Sequence, residues 1–395
     1  MNTTIFYNAK IILPEKILEK HYVLVVNSLI KEISPLPIPQ NLLPYSTIVD
    51  CKGFYLSPGF IDTHCHGGGN SDFMDGTKDD IVIACRLHLR HGSTGICPTT
   101  LTCPDQDLFL FLDCYEQAKN EKKMMPHLFG VHLEGPYLSP LQTGAQASDF
   151  LKLPEKSHYR KILERGNGNI AKWSIAPELP GAMDLGNELA QRGILALIGH
   201  SNATLDIVES AINHGYSQLT HFYSSMSTIT REKGYRKPGI VEAGYLFDQL
   251  SMEIIADGIH LPLSLLKLIL KCKCSDKICL ITDSMRGAGL PDGPSLLGSK
   301  KHGTPVIIKD GVAHMPTMDS FAGSVATMDR MVRIMTEDVG IPLYDAVKMA
   351  SLNPAVFLKI SDMYGSIAPG KAADLLIFNE KIQITSAYVS GIKQF

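Results

Sequence analysis

The sequence predicts an α/β protein, a (β/α)8 TIM-like barrel with a small β-sheet unit contributed by both ends of the chain. Two observations carry this prediction. Eight short apolar runs alternate with longer helical stretches, and both termini contain short runs rich in β-branched residues. Alternating β and α units in that number favour a closed parallel barrel. A doubly wound open sheet is the competing architecture.

The elements follow in order along the chain. Short runs of β-forming residues broken by polar residues lie at 4–12 and 22–34 and predict strands of a small sheet. The same residue pattern recurs at 374–378 and 382–389. Most of the eight apolar runs between them are separated by enough chain for a helix, which a parallel sheet requires. The predicted barrel strands are Gly59–His64, Gly95–Thr99, Leu128–Glu134, Trp173–Pro177, Ile194–His200, Gln218–His221, Met252–Asp257 and Ile278–Asp283.

Composition and charge narrow the classes of function. The chain has 395 residues, 45% of them hydrophobic, and a formal charge of −3 from 37 basic and 40 acidic residues. It therefore lacks the basic footprint of a protein that binds nucleic acid or an anionic membrane. The nine cysteines form no CxxC pair, and the first residues lack a signal-peptide pattern. We expect a cytoplasmic protein that binds neither nucleic acid nor membrane.

Residue types that bind metals fall at the ends of the predicted strands. His64 and His66 alternate along an extended segment, so both imidazoles lie on one face of it. Because the carboxyl ends of barrel strands meet where active sites form, distant ligands are expected to converge. Mixed imidazole and carboxylate ligands predict one or two divalent ions, zinc first, with iron, manganese or cobalt as alternatives. The candidates are His64, His66, Glu134, His200, His221 and Asp283.

Two carboxylates in this set end apolar runs. Glu134 closes the third run, and its two oxygens are able to bridge two ions, with one pair of histidines on each side. An unpaired carboxylate at such a position is costly to bury. A cation or a catalytic role therefore explains Glu134 and Asp283 better than an ordinary ion pair or helix cap.

Several segments resemble motifs of the amidohydrolase superfamily. PGFIDTHCHG at 58–67 is similar to its opening motif, and IAPGKAADL at 367–375 is similar to its closing motif. Within the superfamily, the chain most resembles the N-acetylglucosamine-6-phosphate deacetylases, in family order across almost the whole sequence. The further matching segments are HLEGPY at 132–137, APE at 176–178, GHSNAT at 199–204, TH at 220–221, IADGIH at 255–260 and TD at 282–283.

The resemblance implies an activity and a domain organisation. The implied reaction is hydrolysis of the acetamide of N-acetyl-D-glucosamine 6-phosphate to D-glucosamine 6-phosphate and acetate, a step of amino sugar catabolism. The implied architecture is a metal-dependent barrel over residues 58–358. A β-sandwich built from residues 1–57 and 359–395 flanks it, and the family resemblance also implies a homodimer.

The resemblance also assigns roles within the predicted site. Glu134, His200 and His221 match the ligands of the hydrolytic ion, and the pair at His64 and His66 matches the position of a second ion. Asp283 matches the general base and acid of the family. That role fits amide chemistry, because an amine leaves badly unless it is protonated. His260 matches a residue that contacts the sugar, where it would position a hydroxyl or stabilise the oxyanion.

The predicted substrate contacts depart from the family pattern. Gln146 stands where the family usually has histidine, and Ser224-Ser225 stand where it has Asn-Ala. The loop at 230–239 is longer than usual. Arg236 in this loop matches the arginine that contacts the 6-phosphate, and a guanidinium fits phosphate oxygens in a bidentate way. Sugar stereochemistry and the requirement for phosphate therefore stay open.

Alternatives remain beside this interpretation. One is a deacetylase of another N-acetylhexosamine, either the galactosamine 6-phosphate or an unphosphorylated sugar. A dihydroorotase or hydantoinase is disfavoured, because those enzymes bridge two metals with a carboxylated lysine on the fourth strand, whereas the fourth run here ends in Pro177-Glu178. The last is a non-catalytic binding protein with the same fold, which would be expected to lose ligands or Asp283.

Overall fold

The computed structural model describes residues 3–121 and 123–395. Residues 1–2, which belong to the predicted N-terminal unit, lie outside this range. The predicted runs at 4–12 and 22–34 each form two strands, because Asn8 and Asn27 turn the backbone with φ of 52° and 58°. The N-terminal strands are β1 Thr3–Tyr7, β2 Lys10–Leu13, β3 Lys16–Leu18, β4 His21–Val26, β5 Leu29–Pro35, β6 Thr47–Asp50 and β7 Tyr55–Pro58.

The middle of the chain contains all eight predicted parallel strands, together with two short hairpins. The first of them, Phe60–Cys65, is buried at every position, as a strand covered on both faces must be. The third predicted run divides at Gly130, so its first part, β12 His127–Leu128, pairs with the second parallel strand, and its second part, β13 Val131–Glu134, pairs with the fourth. The strands are β8 Phe60–Cys65, β9 Gly67–Gly68, β10 Ser71–Asp72, β11 Ser93–Pro98, β12 His127–Leu128, β13 Val131–Glu134, β14 Ile170–Ile175, β15 Leu195–Ile198, β16 Tyr216–Leu219, β17 Thr230–Glu232, β18 Tyr235–Lys237, β19 Ser251–Ile254 and β20 Ile278–Leu280.

Helices connect these strands and cover the parallel sheet with apolar faces. The first helix begins after Thr77, whose hydroxyl accepts a hydrogen bond from the N–H of Asp80 at 3.2 Å, as in an ordinary N-cap. The helices are α1 Lys78–Arg90, α2 Asp105–Ala118, α3 Lys156–Arg165, α4 Ala182–Gln191, α5 Leu205–Asn213, α6 Ile240–Leu246, α7 Leu263–Cys272, α8 Met328–Arg333, which continues as a π-helical turn over Ile334–Val339, α9 Leu343–Ala350 and α10 Leu352–Phe357.

An antiparallel sheet that the sequence did not predict follows the last parallel strand. It contains β21 Gly293–Leu297, β22 Thr304–Lys309, β23 Val312–His314 and β24 Phe321–Ser324 in sequential order. Its last strand is tied to the parallel sheet, because the N–H of Ser324 donates to the carbonyl of Asp283 at 2.8 Å. This insertion therefore lies over the carboxyl end of the eighth parallel strand.

Strands from the two termini pair with each other in one sheet. The chain ends with β25 Leu375–Phe378, β26 Ile384–Val389 and β27 Ile392–Lys393. One sheet has the order β5-β4-β1-β6 and the other β27-β26-β25-β7-β2-β3, so C-terminal strands pair directly with N-terminal ones. No helix of the described residues is long and apolar enough to cross a bilayer.

The eight predicted runs form a curled parallel sheet, which confirms the predicted α/β class. Because the third run is split in two, they give nine strands, divided between the orders β12-β11-β8 and β13-β14-β15-β16-β19-β20. Backbone contacts connect the two groups at their carboxyl ends. Thr100 donates to the carbonyl of His132 at 3.0 Å, and Asp283 donates to the carbonyl of His64 at 2.8 Å. The ends of distant strands thereby lie side by side around one pocket.

Candidate metal centre

The predicted metal ligands meet at the carboxyl ends of the parallel strands. His64 and Glu134 lie within strands, whereas the other ligands follow strand ends by one to three residues. His200, His221 and Asp283 have positive φ angles of 46°, 26° and 49°, a conformation that costs a non-glycine residue free energy. Such backbone strain is typical of functional positions, and here it turns three polar side chains toward the pocket.

His64 and His66, the first histidine pair, contact both carboxylates of the cluster. The Nε2 atoms of His64 and His66 lie 3.2 Å and 3.1 Å from Oδ1 of Asp283. The Nε2 of His66 is also 3.3 Å from Oε2 of Glu134, and that of His64 is 3.6 Å from Oε1. All four side chains are buried or nearly so. The predicted convergence of residues far apart in sequence is therefore present.

His200 and His221, the second histidine pair, contact the other side of Glu134. Their Nε2 atoms lie 3.2 Å and 2.9 Å from Oε1 of Glu134 and 3.1 Å from each other. The Nδ1 atom of His200 lies 2.9 Å from the carbonyl oxygen of Gln142. Glu134 thus stands between two pairs of imidazoles.

The electrostatics of the cluster favour positive charge. Although burial opposes a charged imidazole, Asp283 and Glu134 raise the pKa of His64 to about 9 and that of His66 to about 10. Burial likewise opposes ionised carboxylates, but the surrounding histidines, with His64 the largest contributor, hold the pKa values of Glu134 and Asp283 well below their usual range.

The same residues fit a divalent cation. The cluster contains two groups of three candidate ligands. Within each group the ligand atoms all lie within 4.8 Å of one another, and Glu134 belongs to both groups. Close Nε2–Nε2 approaches of 3.3 Å in the first pair and 3.1 Å in the second leave nitrogen lone pairs facing a common space. Imidazole and carboxylate are suitable ligands for zinc and related metals. The groups are His64, His66 and Glu134, and Glu134, His200 and His221.

A cavity of about 220 Å³ opens beside this cluster. Asp283 and His260 both line it. The ring of His260 is held by Asp257, whose Oδ2 lies 2.7 Å from Nδ1 and whose Oδ1 accepts the backbone N–H of His260 at 2.8 Å. The cavity thus combines ligands, a carboxylate able to accept protons and an oriented imidazole.

The predicted substrate residues divide between cavity and surface. Gln146, Ser224 and Ser225 line the cavity. The amide of Gln146 also donates to Oε2 of Glu134 at 2.7 Å and accepts from the N–H of Thr102 at 2.8 Å. Arg236 instead lies on the exposed hairpin of β17 and β18, outside the residues that line the cavity.

Sequence reasoning missed three residues at or beneath the site. Phe321, from the unpredicted sheet, lines the cavity and packs against the ring of His260 with centroids 4.9 Å apart. Lys172 and Glu253 form a buried ion pair beneath the first histidine pair. Glu253 was detectable as a charged residue inside an apolar run. Lys172 escaped notice because β14 begins at Ile170, three residues before the predicted start at Trp173.

Fold and site together define a class of protein, an α/β protein with a cluster of candidate metal ligands beside a buried carboxylate in a pocket. Comparison with known families agrees with that class. The model of the amidohydrolase family matches residues 55–394, so the chain belongs to the amidohydrolase family and is a hydrolase.

Several relatives within this family are named as deacetylases of N-acetylated amino sugar phosphates. The chain is 33% identical over 343 residues to the N-acetylglucosamine-6-phosphate deacetylase of Lysinibacillus sphaericus, covering 86% of this chain and 85% of that protein. It is 29% identical over 374 residues to the N-acetylgalactosamine-6-phosphate deacetylase of Escherichia coli O157:H7, covering 95% and 94%. The crystal structure of N-acetylglucosamine-6-phosphate deacetylase from Pasteurella multocida superposes with a TM-score of 0.91 at 28% identity, covering 99% of each chain.

Proposed function

We propose that this chain is a metal-dependent deacetylase that hydrolyses N-acetyl-D-glucosamine 6-phosphate to D-glucosamine 6-phosphate and acetate in amino sugar catabolism. The observation that carries the proposal is the placement of Asp283 beside the ligand cluster in a pocket, within a chain similar throughout to deacetylases of this class. Glu134, His200 and His221 would hold the hydrolytic ion, with His64 and His66 as ligands of a second. Zinc is the proposed metal, with iron, manganese or cobalt as alternatives.

In this reaction water, a poor nucleophile, must attack an amide carbonyl, which is a poor electrophile. A bound divalent cation polarises the amide carbonyl and lowers the pKa of water. Asp283, ionised because its pKa is held low, accepts a proton from the attacking water and returns it to the departing amine. This return matters because the amine leaves badly unless it is protonated.

The cavity residues would orient the sugar around this centre. Asp257 holds Nδ1 of His260 at 2.7 Å, so Nε2 is left to contact a sugar hydroxyl or the developing oxyanion. Ser224 and Ser225 offer hydroxyl groups at the cavity wall. We assign Gln146 to the cavity wall as well, with a second role in orienting Glu134 through its 2.7 Å hydrogen bond.

Arg236 is the proposed ligand of the 6-phosphate, although it lies on an exposed hairpin. Its guanidinium suits a phosphate dianion better than a lysine would, but the hairpin must come closer to the cavity, or reach that of a second copy, to make this contact. Arg236→Ala is expected to raise KM for the phosphorylated sugar about tenfold or more. Lys233→Ala on the same exposed turn is the matched control, and an equal KM for both variants and wild type would remove Arg236 from the site.

The chain architecture is also part of the proposal. Contacts between the two parallel groups, at Asp283–His64 and Thr100–His132, support closure into a (β/α)8 barrel over residues 58–358. Mixed pairing of N- and C-terminal strands supports a flanking β-sandwich from residues 1–57 and 359–395. A cytoplasmic homodimer that takes an amino sugar phosphate as its small-molecule partner completes the proposal.

A second candidate substrate is N-acetylgalactosamine 6-phosphate. The relative named for that activity aligns with 95% of this chain, more than the 86% aligned with the Lysinibacillus sphaericus protein. The two sugars differ at one hydroxyl, and the departures at Gln146, Ser224 and Ser225 lie where the cavity would meet the substrate.

A substrate panel tests the proposal. Zinc-loaded protein is incubated with N-acetylglucosamine and N-acetylgalactosamine, each with and without 6-phosphate, and released acetate and amine are measured. We expect the highest kcat/KM for N-acetylglucosamine 6-phosphate. A preference for the galacto sugar would select the second candidate, and release of acetate from none of the four would overturn the deacetylase assignment.

A further inference from the structure

A buried ion pair lies directly beneath the candidate metal centre. Lys172 on β14 and Glu253 on β19 are hydrogen-bonded to each other, and neither side chain has any solvent exposure. Such a pair is costly to desolvate, and apolar residues of similar volume often stabilise a fold equally well. With the ammonium of Lys172 bound to it, Glu253 is a fixed acceptor inside the curled sheet.

The carboxylate of Glu253 is held by several donors from the neighbouring strands. Its Oε1 accepts the hydroxyl of Thr63 at 3.0 Å as well as the ammonium of Lys172. Its Oε2 lies 3.3 Å from Nδ1 of His64. The oxygen that faces His64 therefore has its direction set by the contacts of the other oxygen.

This contact determines which nitrogen of His64 faces the ligand cluster. With a proton on Nδ1 donated to Glu253, Nε2 keeps its lone pair on the side of Asp283, at 3.2 Å, and Glu134, at 3.6 Å. The adjacent His132 cannot replace Glu253, because its own nitrogens lie 3.3 Å from the hydroxyl of Thr99 and 2.7 Å from that of Ser174.

His64 is singled out from other members of the cluster. Among the described residues, Nδ1 of His66 and Nδ1 of His221 are buried without a hydrogen-bond partner. A histidine that ligates a metal binds it more tightly when a carboxylate accepts its second N–H, and loss of such a partner commonly weakens metal affinity 10- to 100-fold, as an order of magnitude. His64 therefore differs from His66 and His221 in having a carboxylate at its second ring nitrogen.

We propose that Glu253, held in place by Lys172 and Thr63, is a positioning residue that sets the affinity of the His64–His66 position for a second divalent cation. The proposal rests on the proposed metal-dependent function, which assigns the first ion to Glu134, His200 and His221. It predicts that disturbing the Lys172–Glu253 pair weakens the binding of the second ion and leaves the binding of the first ion unchanged.

Cation binding to the metal-free protein tests this directly, without measuring activity. Metal-free wild type and variants are titrated with Co²⁺, followed by visible absorption and by the metal content retained after dialysis. Wild type is expected to bind two ions per chain. Glu253→Gln is expected to weaken the second ion ~10- to 100-fold while the first keeps its affinity.

Further variants keep the test decisive if Glu253→Gln, which leaves Lys172 unpaired, fails to fold. Glu253→Gln/Lys172→Met removes both charges, and Thr63→Val removes one hydroxyl that orients the carboxylate at nearly constant volume. Both are expected to weaken the second ion, the valine variant by the smaller factor. Glu253→Asp keeps the charge and is expected to fall between wild type and Glu253→Gln.

A matched control separates positioning from general destabilisation. Asp75 is a buried carboxylate paired with Arg286 at 2.7 Å that belongs to neither ligand group. Asp75→Asn is expected to lower thermal stability without changing either cation affinity.

Two results would overturn the proposal. One is wild-type affinity for both ions in the folded Glu253 and Thr63 variants, and the other is wild type that binds one ion at every Co²⁺ concentration. Full activity of metal-free wild type would instead contradict the proposed function, so the two failures are distinguishable.

Discussion

The two histidine pairs around Glu134 are similar in composition but differ in what holds them. The first pair, His64 and His66, lies along and just beyond a fully buried strand, and His64 is backed by the carboxylate of Glu253. The second pair, His200 and His221, lies on left-handed residues after two strands, and His200 is backed by a loop carbonyl. One half of the centre is therefore built on the sheet and its buried charges, and the other on turns.

The two oxygens of the Glu134 carboxylate each contact a different histidine pair more closely. Oε1 of Glu134 faces the second pair at 3.2 Å and 2.9 Å, whereas Oε2 faces His66 at 3.3 Å and the amide of Gln146 at 2.7 Å. Asp283 contacts the first pair only, through Oδ1. The proposed acid–base group is thus in contact with one half, and the proposed hydrolytic ion belongs to the other.

The largest expected effect comes from removing a ligand of the second pair. Asparagine at position 200 cannot supply the imidazole nitrogen that faces Oε1 of Glu134, so we expect the proposed hydrolytic ion to be lost. Because such a cation contributes several kcal/mol, His200→Asn should reduce kcat/KM by ~10³-fold. His64→Asn should reduce it only ~10-fold, since it affects the second ion. Steady-state kinetics with metal analysis compares the two, and equal losses would erase the distinction between the halves.

Asp283→Asn is expected to have the next largest effect. The amide keeps the shape of the side chain but cannot accept a proton, so kcat should fall by ~10²-fold or more. Metal content measured on the same preparation should stay near that of wild type. If the variant loses metal as His200→Asn does, Asp283 is chiefly a ligand, and the proton must move through another group.

A smaller effect is expected at Gln146, which steadies the oxygen of Glu134 that faces the first pair. Gln146→Ala removes a hydrogen bond to a charged group worth ~1.5–3 kcal/mol, so kcat/KM should fall by ~10- to 10²-fold. Co²⁺ titration should also show weaker binding of the second ion. Ser224→Ala, a change at the same cavity wall, is expected to alter KM and leave both cation affinities unchanged. The reverse pattern would assign Gln146 to the substrate alone.

Much of this arrangement could be predicted from the sequence because parallel strands impose it. Once a run such as Ile278–Asp283 is assigned to a buried strand, its terminal carboxylate must lie at the common edge with His64 and Glu134. What could not be predicted depends on side-chain pairing across strands. Lys172 and Glu253 are 81 residues apart, and neither residue type by itself indicates that they meet beneath His64.

The antiparallel insertion was also beyond prediction, for a different physical reason. Residues 293–324 show no long apolar alternation, and strands such as Phe321–Ser324 are short and partly exposed. Such strands are stabilised by pairing with their neighbours more than by local propensity. Phe321 therefore reaches the cavity through contacts that a strand-by-strand interpretation does not contain. The exposed hairpin that carries Arg236 presents the same difficulty.

The smallest expected effect concerns the support behind the first pair and is one of stability. His88 donates from Nε2 to the carbonyl of Gly67 at 2.9 Å and lies 3.1 Å from Sγ of Cys65. Complete burial lowers the pKa of His88 from 6.5 to about 4. Between these values the unfolded chain binds a proton that the folded chain does not. The stability contributed by neutral His88 is therefore present above pH 6.5 and is lost as the pH falls toward 4.

Replacing this histidine should make the protein less sensitive to acid. At ~1.4 kcal/mol per pH unit, His88 costs wild type about 2 kcal/mol between pH 7 and pH 5. His88→Gln keeps a donor for the carbonyl of Gly67 but does not titrate, so its Tm should fall by roughly 2–4 °C less than that of wild type over this interval. The metal ligands titrate alike in both proteins and cancel in the difference. His214→Gln, at a partly exposed histidine, controls for loss of an imidazole. If both variants lose the same Tm as wild type, His88 is not the acid-sensitive support of the first pair, and the sheet-built half owes its rigidity to Glu253 and Lys172.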